Sequence, residues 1–355
     1  MASPMLTIHC DGKRKSPADG YRINKAAGRL MLAAAFGCLV VVVLSAPCAA
    51  MGGRPQEGAG HLSRIDGFGS NPGNLIMYRY TPPRLPAGAP LVVALHGCNQ
   101  SAKDYGDLSG WNRLADRWQF SVIYPEQRRI NNGFRCFNWF RPGDTQRQKG
   151  EALSIREMVD RTAADLAVDA RRIYITGLSA GGYMTAAMLA LYPDVFAGGA
   201  VIAGGPAGCA DGAMDALGCM KGRVVKTPDQ WGDAAKAAYR YDGAYPVLSI
   251  FHGTEDATVD GRNMTALVDQ WTWLHLTDAI ADGGGVFRAH DHRIYHDTNG
   301  AAVVESYHVR GMGHAIPVDP GPGEDQGGAM GAYAEDRDLF SSYYAARFWG
   351  LVPIP

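Results

Sequence analysis

The sequence predicts an α/β fold: a mostly parallel central sheet with helices on both faces, forming a single domain. Three observations predict it. Strand-like and helix-like segments alternate from about residue 74 onward, the pattern of repeated strand–helix–strand units. The run Pro90-Leu91-Val92-Val93-Ala94-Leu95 is apolar throughout, as a strand buried on both faces is. Gly177-Leu178-Ser179-Ala180-Gly181 stands between a β-branched run and an apolar helical one, which marks a sharp strand-to-helix turn.

The elements follow in order. Residues 1–29 carry six cations against Asp11 and Asp19, residues 30–44 are apolar and uncharged, and Ser45 to Ala50 are mostly small. This reads as a signal peptide over residues 1–50, with a basic n-region at 1–29 and an apolar segment at 30–44. An apolar run of about 15 residues is short for a bilayer span. An uncleaved anchor is the alternative, and the single link to a membrane that the chain offers. Either way the remainder is expected outside the cytoplasm, secreted or periplasmic. Residues 51–73, rich in Gly, Pro and Ser, read as a linker or loose lead-in. Residues 74–351 read as the catalytic domain.

Within that domain, strands are expected at 74–80, 90–95, 120–124, 172–176, 199–203, 246–251 and 303–309. Helices are expected at 108–118, 151–166, 183–191, 264–280 and 336–349. Residues 204–245 form a long insertion, in which Thr227-Pro228 has the form of an N-cap and N1 pair. His290, His292 and His296 alternate with other residues, as on a solvated strand rather than at a metal site. His308 falls inside a strand and reads as structural.

Composition narrows the function. The full chain has a formal charge of −1, and removing residues 1–50 takes away six of the 34 Lys and Arg and two of the 35 Asp and Glu, leaving about −5. Nothing in that balance points to a nucleic-acid partner. No P-loop, dinucleotide fingerprint or paired C-x-x-C occurs, so no cofactor and no metal is expected. Of seven cysteines, Cys10, Cys38 and Cys48 leave with the signal peptide, and Cys98, Cys136, Cys209 and Cys219 remain. An even count suits an oxidising compartment. Four cysteines allow three connectivities; Cys98–Cys136 with Cys209–Cys219 is favoured, the second closing a short loop.

In such sheets reactive groups lie past the carboxyl ends of strands. Ser179 does, in the G-x-S-x-G turn that exposes a serine hydroxyl. A serine nucleophile needs a base and an acid to orient it, in the chain order Ser, Asp or Glu, His. His252-Gly253-Thr254-Glu255-Asp256 and Gly311-Met312-Gly313-His314 supply that order after two later strands. His314 is the expected base. Asp256 is preferred as the acid, with Glu255 a solvated neighbour and Asp260 a weaker third choice. Two backbone N–H groups are needed for the oxyanion, and Ala180 and Cys98 are the expected donors.

At this point a family resemblance is visible. Leu95-His96-Gly97-Cys98-Asn99-Gln100, Cys136-Phe137-Asn138-Trp139-Phe140-Arg141-Pro142, Gly177-Leu178-Ser179-Ala180-Gly181-Gly182 and His252-Gly253-Thr254-Glu255-Asp256 occur in that order. Together they resemble the secreted polyhydroxybutyrate depolymerase-like esterases, α/β-hydrolases related to feruloyl and acetylxylan esterases. The resemblance implies an α/β-hydrolase fold, a triad at Ser179, Asp256 and His314, and oxyanion donors at Cys98 and Ala180. It implies a serine esterase whose substrate is a short-chain poly(3-hydroxyalkanoate), its oligomers, or a plant cell-wall ester. Many polymer depolymerases carry a separate polymer-binding module after the catalytic domain, whereas here 41 residues follow His314. Adsorption would then rest on the catalytic surface, with Trp139, beside Phe137 and Phe140, as a substrate-binding platform. A rival from another class is a non-catalytic polymer- or carbohydrate-binding protein built on a hydrolase fold.

Overall fold

The computed structural model describes residues 60–352. The expected signal peptide at 1–50, and residues 51–59 of the expected lead-in, lie outside the described residues. The elements run β1 (His61–Ile65), β2 (Ile76–Thr81), β3 (Leu91–Leu95), α1 (Ala102–Ser109), α2 (Trp111–Trp118), β4 (Ser121–Glu126), α3 (Gly150–Leu166), β5 (Ile173–Leu178), α4 (Ala180–Leu191), β6 (Gly198–Ile202), α5 (Ala213–Met220) and α6 (Pro228–Ala238). They continue with β7 (Val247–Gly253), α7 (Arg262–Leu274), β8 (Gly283–Phe287), β9 (His290–His296), β10 (Ala302–Val309), β11 (Ile316–Val318), β12 (Ala334–Asp336) and α8 (Ser341–Phe348).

Ten strands form one sheet in the order β1-β2-β4-β3-β5-β6-β7-β10-β9-β8. The inner strands β4 to β10 pair in parallel. Antiparallel pairs finish both edges, β1–β2–β4 on one side and β10–β9–β8 on the other. Alternation along the inner strands divides the core. Leu91, Val93, Leu95, Ile175 and Ile250 face a layer with α3, α4, α6 and α7. Val92, Ala94, Tyr174, Ile202 and Phe251 face a layer with α1, α2 and α8. Both faces are covered, so β3, β5 and β6 are buried along their whole lengths, which is why their sequences are continuous apolar runs. On the second face Trp349 stacks on Trp111 and on Tyr174, with ring centroids 5.6 and 5.0 Å apart, joining α2 and the end of α8 to the sheet.

Several elements differ from the sequence expectation. The stretch read as a loose lead-in contains β1, which adds an edge strand through five paired residues. The helix expected at 108–118 is two helices, because Gly110 takes φ +74 between them. The first opens with a capping box, Ser101 and Asp104 each bonding the other's backbone N–H. The helix expected to reach 280 stops at Leu274, and Leu276 turns left-handed at φ +58. Beyond it β8 begins in a run of three glycines. The last helix starts at Ser341, because Ala334–Asp336 instead pair in parallel with Ile316–Val318. In the insertion, Thr227 and Gln230 form the cap of α6 with Pro228 in its first turn. Both cysteine pairs are bridged, Cys98–Cys136 and Cys209–Cys219. No helix among the described residues is long and apolar enough to cross a membrane.

Gly110 offers a test of this packing. A Cβ there would lie 2.6 Å from the Phe340 ring and 2.7 Å from the Gly328 nitrogen, on a backbone that side chains avoid. Gly110→Ala should therefore destabilise the fold by roughly 2–4 kcal/mol, read as a lower urea midpoint with an unchanged slope.

Candidate active site

The site is built at the carboxyl edge of the inner strands, beginning with the turn from β5 into α4. Ser179 sits there at φ +56, ψ −117, a conformation few side-chain-bearing residues adopt. Its N–H donates to the Ile202 carbonyl of β6, so the neighbouring strand holds the strained residue. Glycines make the turn fit. A Cβ at 177 would meet the Gly181 backbone at 2.4 Å, and one at 181 would meet the Leu95 carbonyl oxygen at 2.3 Å. Any side chain at 181 would push α4 away from the loop after β3.

His314 lies in the loop after β10, and Asp256 in the loop after β7. His314 Nε2 is 2.8 Å from Ser179 Oγ, and its Nδ1 is 2.7 Å from Asp256 Oδ2. The two loops interlock. Thr254 N–H donates to the Val309 carbonyl, Glu255 N–H to Met312, and Gly311 N–H to the Thr254 hydroxyl. A Cβ at Gly253 would lie 2.2 Å from the Met312 carbonyl oxygen. The free oxygen of Asp256 accepts the N–H groups of Thr258 and Val259. Burial works to raise the Asp256 pKa, but the His314 hydrogen bond and charge, the Val259 N–H and His252 outweigh it, and the carboxyl is held below its ordinary value. His252, fully buried beneath, donates from Nε2 to the Val259 carbonyl and is kept neutral by burial. Of the other carboxylates weighed from the sequence, Glu255 is exposed, and Asp260 is held at about 2 by Arg262. Only Asp256 reaches His314. A hydroxyl, an imidazole and a carboxylate in this line can pass the serine proton to the imidazole as the oxygen attacks.

The loop after β3 runs alongside. His96 is fully buried, and burial pushes its pKa down to about 4. Its Nε2 accepts the Gln127 N–H at 3.0 Å, so Nδ1 carries the proton and donates to the Gly97 carbonyl at 2.7 Å. Gly97 N–H donates to Gln100 Oε1, and Asn99 N–H to the Phe134 carbonyl. The Cys98 N–H has no acceptor among the described residues, and Ala180 is the first residue of α4, where N–H groups lack intrahelical partners. A groove of about 380 Å³ opens beside this loop, with Asn99, Gln100, Leu108 and Tyr333 in its walls.

Trp139 is not a surface platform. It is buried, stacks on Tyr183 at 3.9 Å and meets Phe140 edge-on at 5.5 Å. Phe137 is fully buried against His96. The segment turns inward because Asn138 is hydrogen-bonded to the buried Glu151 carboxylate. His290, His292 and His296 stand on β9 and bond separately to Arg337 and Arg310 backbone, to Glu305, and near Asp282. Asp319, Asp336 and Asp338 come within 4.8 Å of one another, but Arg288 already pairs with Asp319. His96, Gln127 and Glu151 were not singled out from the sequence. His96 had a signal, its place in the His-Gly pair directly after a strand. Glu151 had none, because an acid in the first turn of a helix reads as ordinary surface.

Comparison with known proteins places this geometry. The family described as esterase PHB depolymerase matches residues 77–296. A poly(3-hydroxyalkanoate) depolymerase C of Paucimonas lemoignei is 48% identical over 292 residues, covering 82% of this chain and 70% of its own. A feruloyl esterase B of Talaromyces stipitatus is 32% identical, covering 75% of each. Among solved structures, an acetyl xylan esterase from Aspergillus awamori superposes with a TM-score of 0.71 at 26% identity, over 82% of this chain and 100% of its own. The chain belongs to the esterase PHB depolymerase family, its fold is that of the α/β-hydrolase esterases, and it is an enzyme that hydrolyses carboxylic esters.

The buried histidine gives the site a pH signature. A histidine neutral in the folded state down to pH 4, but titrating near 6.5 when unfolded, binds fewer protons folded than unfolded across that window. Stability is therefore fully present above pH 6.5 and is lost as pH falls toward 4, by about 3 kcal/mol from His96. His252 adds to the loss in the same direction. Glu151, raised to about 8, acts with the opposite sign over the same window. The His96 part is therefore read as the difference between wild type and His96→Asn in urea denaturation between pH 7 and 4. The variant should lose about 3 kcal/mol less as pH falls, and an equal slope in the variant rules the assignment out.

Proposed function

We propose that this chain is an exported serine esterase acting on short-chain poly(3-hydroxyalkanoate) or its oligomers. The observation that carries the mechanism is the hydrogen-bonded line from Ser179 Oγ through His314 to Asp256, at 2.8 and 2.7 Å. Ser179 Oγ attacks the ester carbonyl carbon, and its proton passes to His314 Nε2. Asp256 stabilises the imidazolium and holds the ring's tautomer. The carbonyl oxygen, now an oxyanion, accepts the Cys98 and Ala180 N–H groups. On collapse the C–O bond breaks, and His314 returns the proton to the leaving alkoxide, releasing the alcohol. Water then gives a proton to His314 and attacks the acyl-enzyme. A second collapse frees the acid and restores Ser179.

The substrate reading is supported by the 48% identical depolymerase and by where apolar surface is exposed. Among the described residues ten large apolar side chains are exposed, and seven of them lie in the connections leaving the carboxyl edge, two of these on α5. These are Ile130 and Phe134 after β4, Met214, Leu217 and Val225 after β6, and Met330 and Tyr333 after β10. Of the other three, Leu276 and Ile280 lie in the loop between α7 and β8 at the opposite edge, and Val286 lies in β8. An apolar face on the side of the nucleophile suits an aliphatic polyester better than a hydrated polysaccharide. The two disulfides and the basic-then-apolar leader support export.

Ester release from 3-hydroxybutyrate oligomers and film, methyl ferulate and acetylated xylan, measured side by side, tests the reading. Oligomers and film should be the best substrates, and Ser179→Ala should lose at least about 10⁴-fold in kcat. Preference for methyl ferulate or acetylated xylan would move the chain to the feruloyl or acetylxylan esterases. Polymer binding without turnover of any ester would favour the non-catalytic reading.

Adsorption to film is read separately on the Ser179→Ala background. Phe134→Ser with Leu217→Ser should weaken it by roughly tenfold or more, given the apolar area each side chain buries on contact. Unchanged adsorption would remove the carboxyl-edge loops as the contact surface.

A further inference from the structure

Glu151 is buried in the first turn of α3 and has no cationic partner among the described residues. Its carboxyl faces three N–H donors: Gln127 Nε2 at 2.5 Å, Asn138 Nδ2 at 2.7 Å and the Asn138 backbone at 2.8 Å. Asp144 lies close by, accepting the Glu151 N–H. Burial, with Asp144, pushes the Glu151 pKa up to about 8 against the pull of those donors. A carboxylate costs a great deal to bury without a cation, and the triad chemistry makes no use of it.

We propose that Glu151 is a positioning residue for the oxyanion donor Cys98, acting through two arms that both end at Cys98. This rests on the reading of Cys98 N–H as that donor. The first arm runs through Gln127. Glu151 fixes its side chain, and its backbone N–H holds His96 Nε2. The His96 Nδ1–H holds the Gly97 carbonyl. That carbonyl and the Cys98 N–H belong to one planar peptide, so gripping the oxygen sets the direction of the N–H. The second arm runs through Asn138, two residues beyond Cys136, whose disulfide ends on Cys98 itself. Gln127 Nε2 also donates to the Cys136 carbonyl, tying the arms together.

All three partners are donors, so only a group with acceptors on both oxygens satisfies them. Glu151→Gln keeps the shape but turns an N–H toward a donor, and so loosens the Asn138 backbone bond of the second arm or, with the amide reversed, the Gln127 bond of the first. In the full chain, with a soluble short-chain ester, kcat should fall on the order of 10- to 100-fold, less than the roughly 10²- to 10³-fold for losing an oxyanion donor outright because the donor is misdirected rather than removed, with KM unchanged. An alkylboronic acid, which adds to Ser179 Oγ as a tetrahedral anion, should lose affinity by the same factor. A merely structural role would lower the melting temperature and leave kcat per titrated active site, and boronate affinity, at wild-type values. That result overturns the proposal. If Glu151→Gln does not fold, Gln127→Met cuts the first arm and its tie to Cys136 from the other side, leaving the Asn138 bonds in place, and is judged by the same readouts. A wild-type chain that turns over no ester would overturn the reading of the site instead, which keeps the two failures apart.

Discussion

α4 can reach the loop after β3 only because residue 181 has no side chain. A Cβ there would stand 2.3 Å from the Leu95 carbonyl oxygen and 2.6 Å from that of His96. This single approach sets two distances at once. It brings the first N–H of α4 beside the Gly97–Cys98 peptide, and it leaves Ser179 at the apex of the turn. The strain at Ser179, φ +56, is tolerated because the rest of the turn is closed by backbone contacts. The N–H of Ser179 is tied to β6, and the glycines at 177 and 181 fill no space that the backbone needs.

The remaining site groups reach the same point from the far side of the sheet. β7 and β10 are adjacent and parallel, so the loops that leave them leave at the same height. Asp256 and His314 are separated by 58 residues, but their loops are tied by the bonds from Thr254 N–H to Val309, Glu255 N–H to Met312 and Gly311 N–H to the Thr254 hydroxyl. A stiff carboxylate–imidazole pair is then presented to a stiff serine. Little reorganisation is needed when charge develops, which is where electrostatic catalysis gains most.

What could be read from the sequence follows from how local the signals are. Ser179, Asp256 and His314 were legible because each follows an apolar strand that announces itself by composition. β5, β7 and β10 fell within a few residues of expectation for the same reason. β8 was hidden because Gly283, Gly284 and Gly285 carry no pattern of alternation, and β1 because it lies in a stretch dominated by turn-forming residues. Gly110 and Leu276 show a different limit, since a single left-handed residue ends a helix whose periodicity continues past it. The Trp139 segment shows a third. Three aromatics in four residues can face either way, and the direction is set by a partner 13 residues on, Glu151, whose burial depends on tertiary packing.

The disulfides lie where the sheet can no longer help. Inside the sheet the inner strands are held on both sides, but the loops after β3, β4 and β6 have no ladder to pair with. Cys98–Cys136 joins the first two of these, and Cys209–Cys219 folds the third back on itself. Closing loops of 38 and 10 residues is worth about 4 and about 3 kcal/mol in chain entropy. Much of that is spent on the edge that carries the chemistry. Asp260 N–H donates to the Met220 carbonyl, and Lys221 Nζ to the Ala257 and Thr258 carbonyls, so α5 braces the very loop that holds Asp256. One bridge thus steadies the Cys98 loop beside Ser179 and the other the loop that holds Asp256. Reduction would loosen the two flanks of the nucleophile before it reached the sheet, so loss of activity should precede loss of fold.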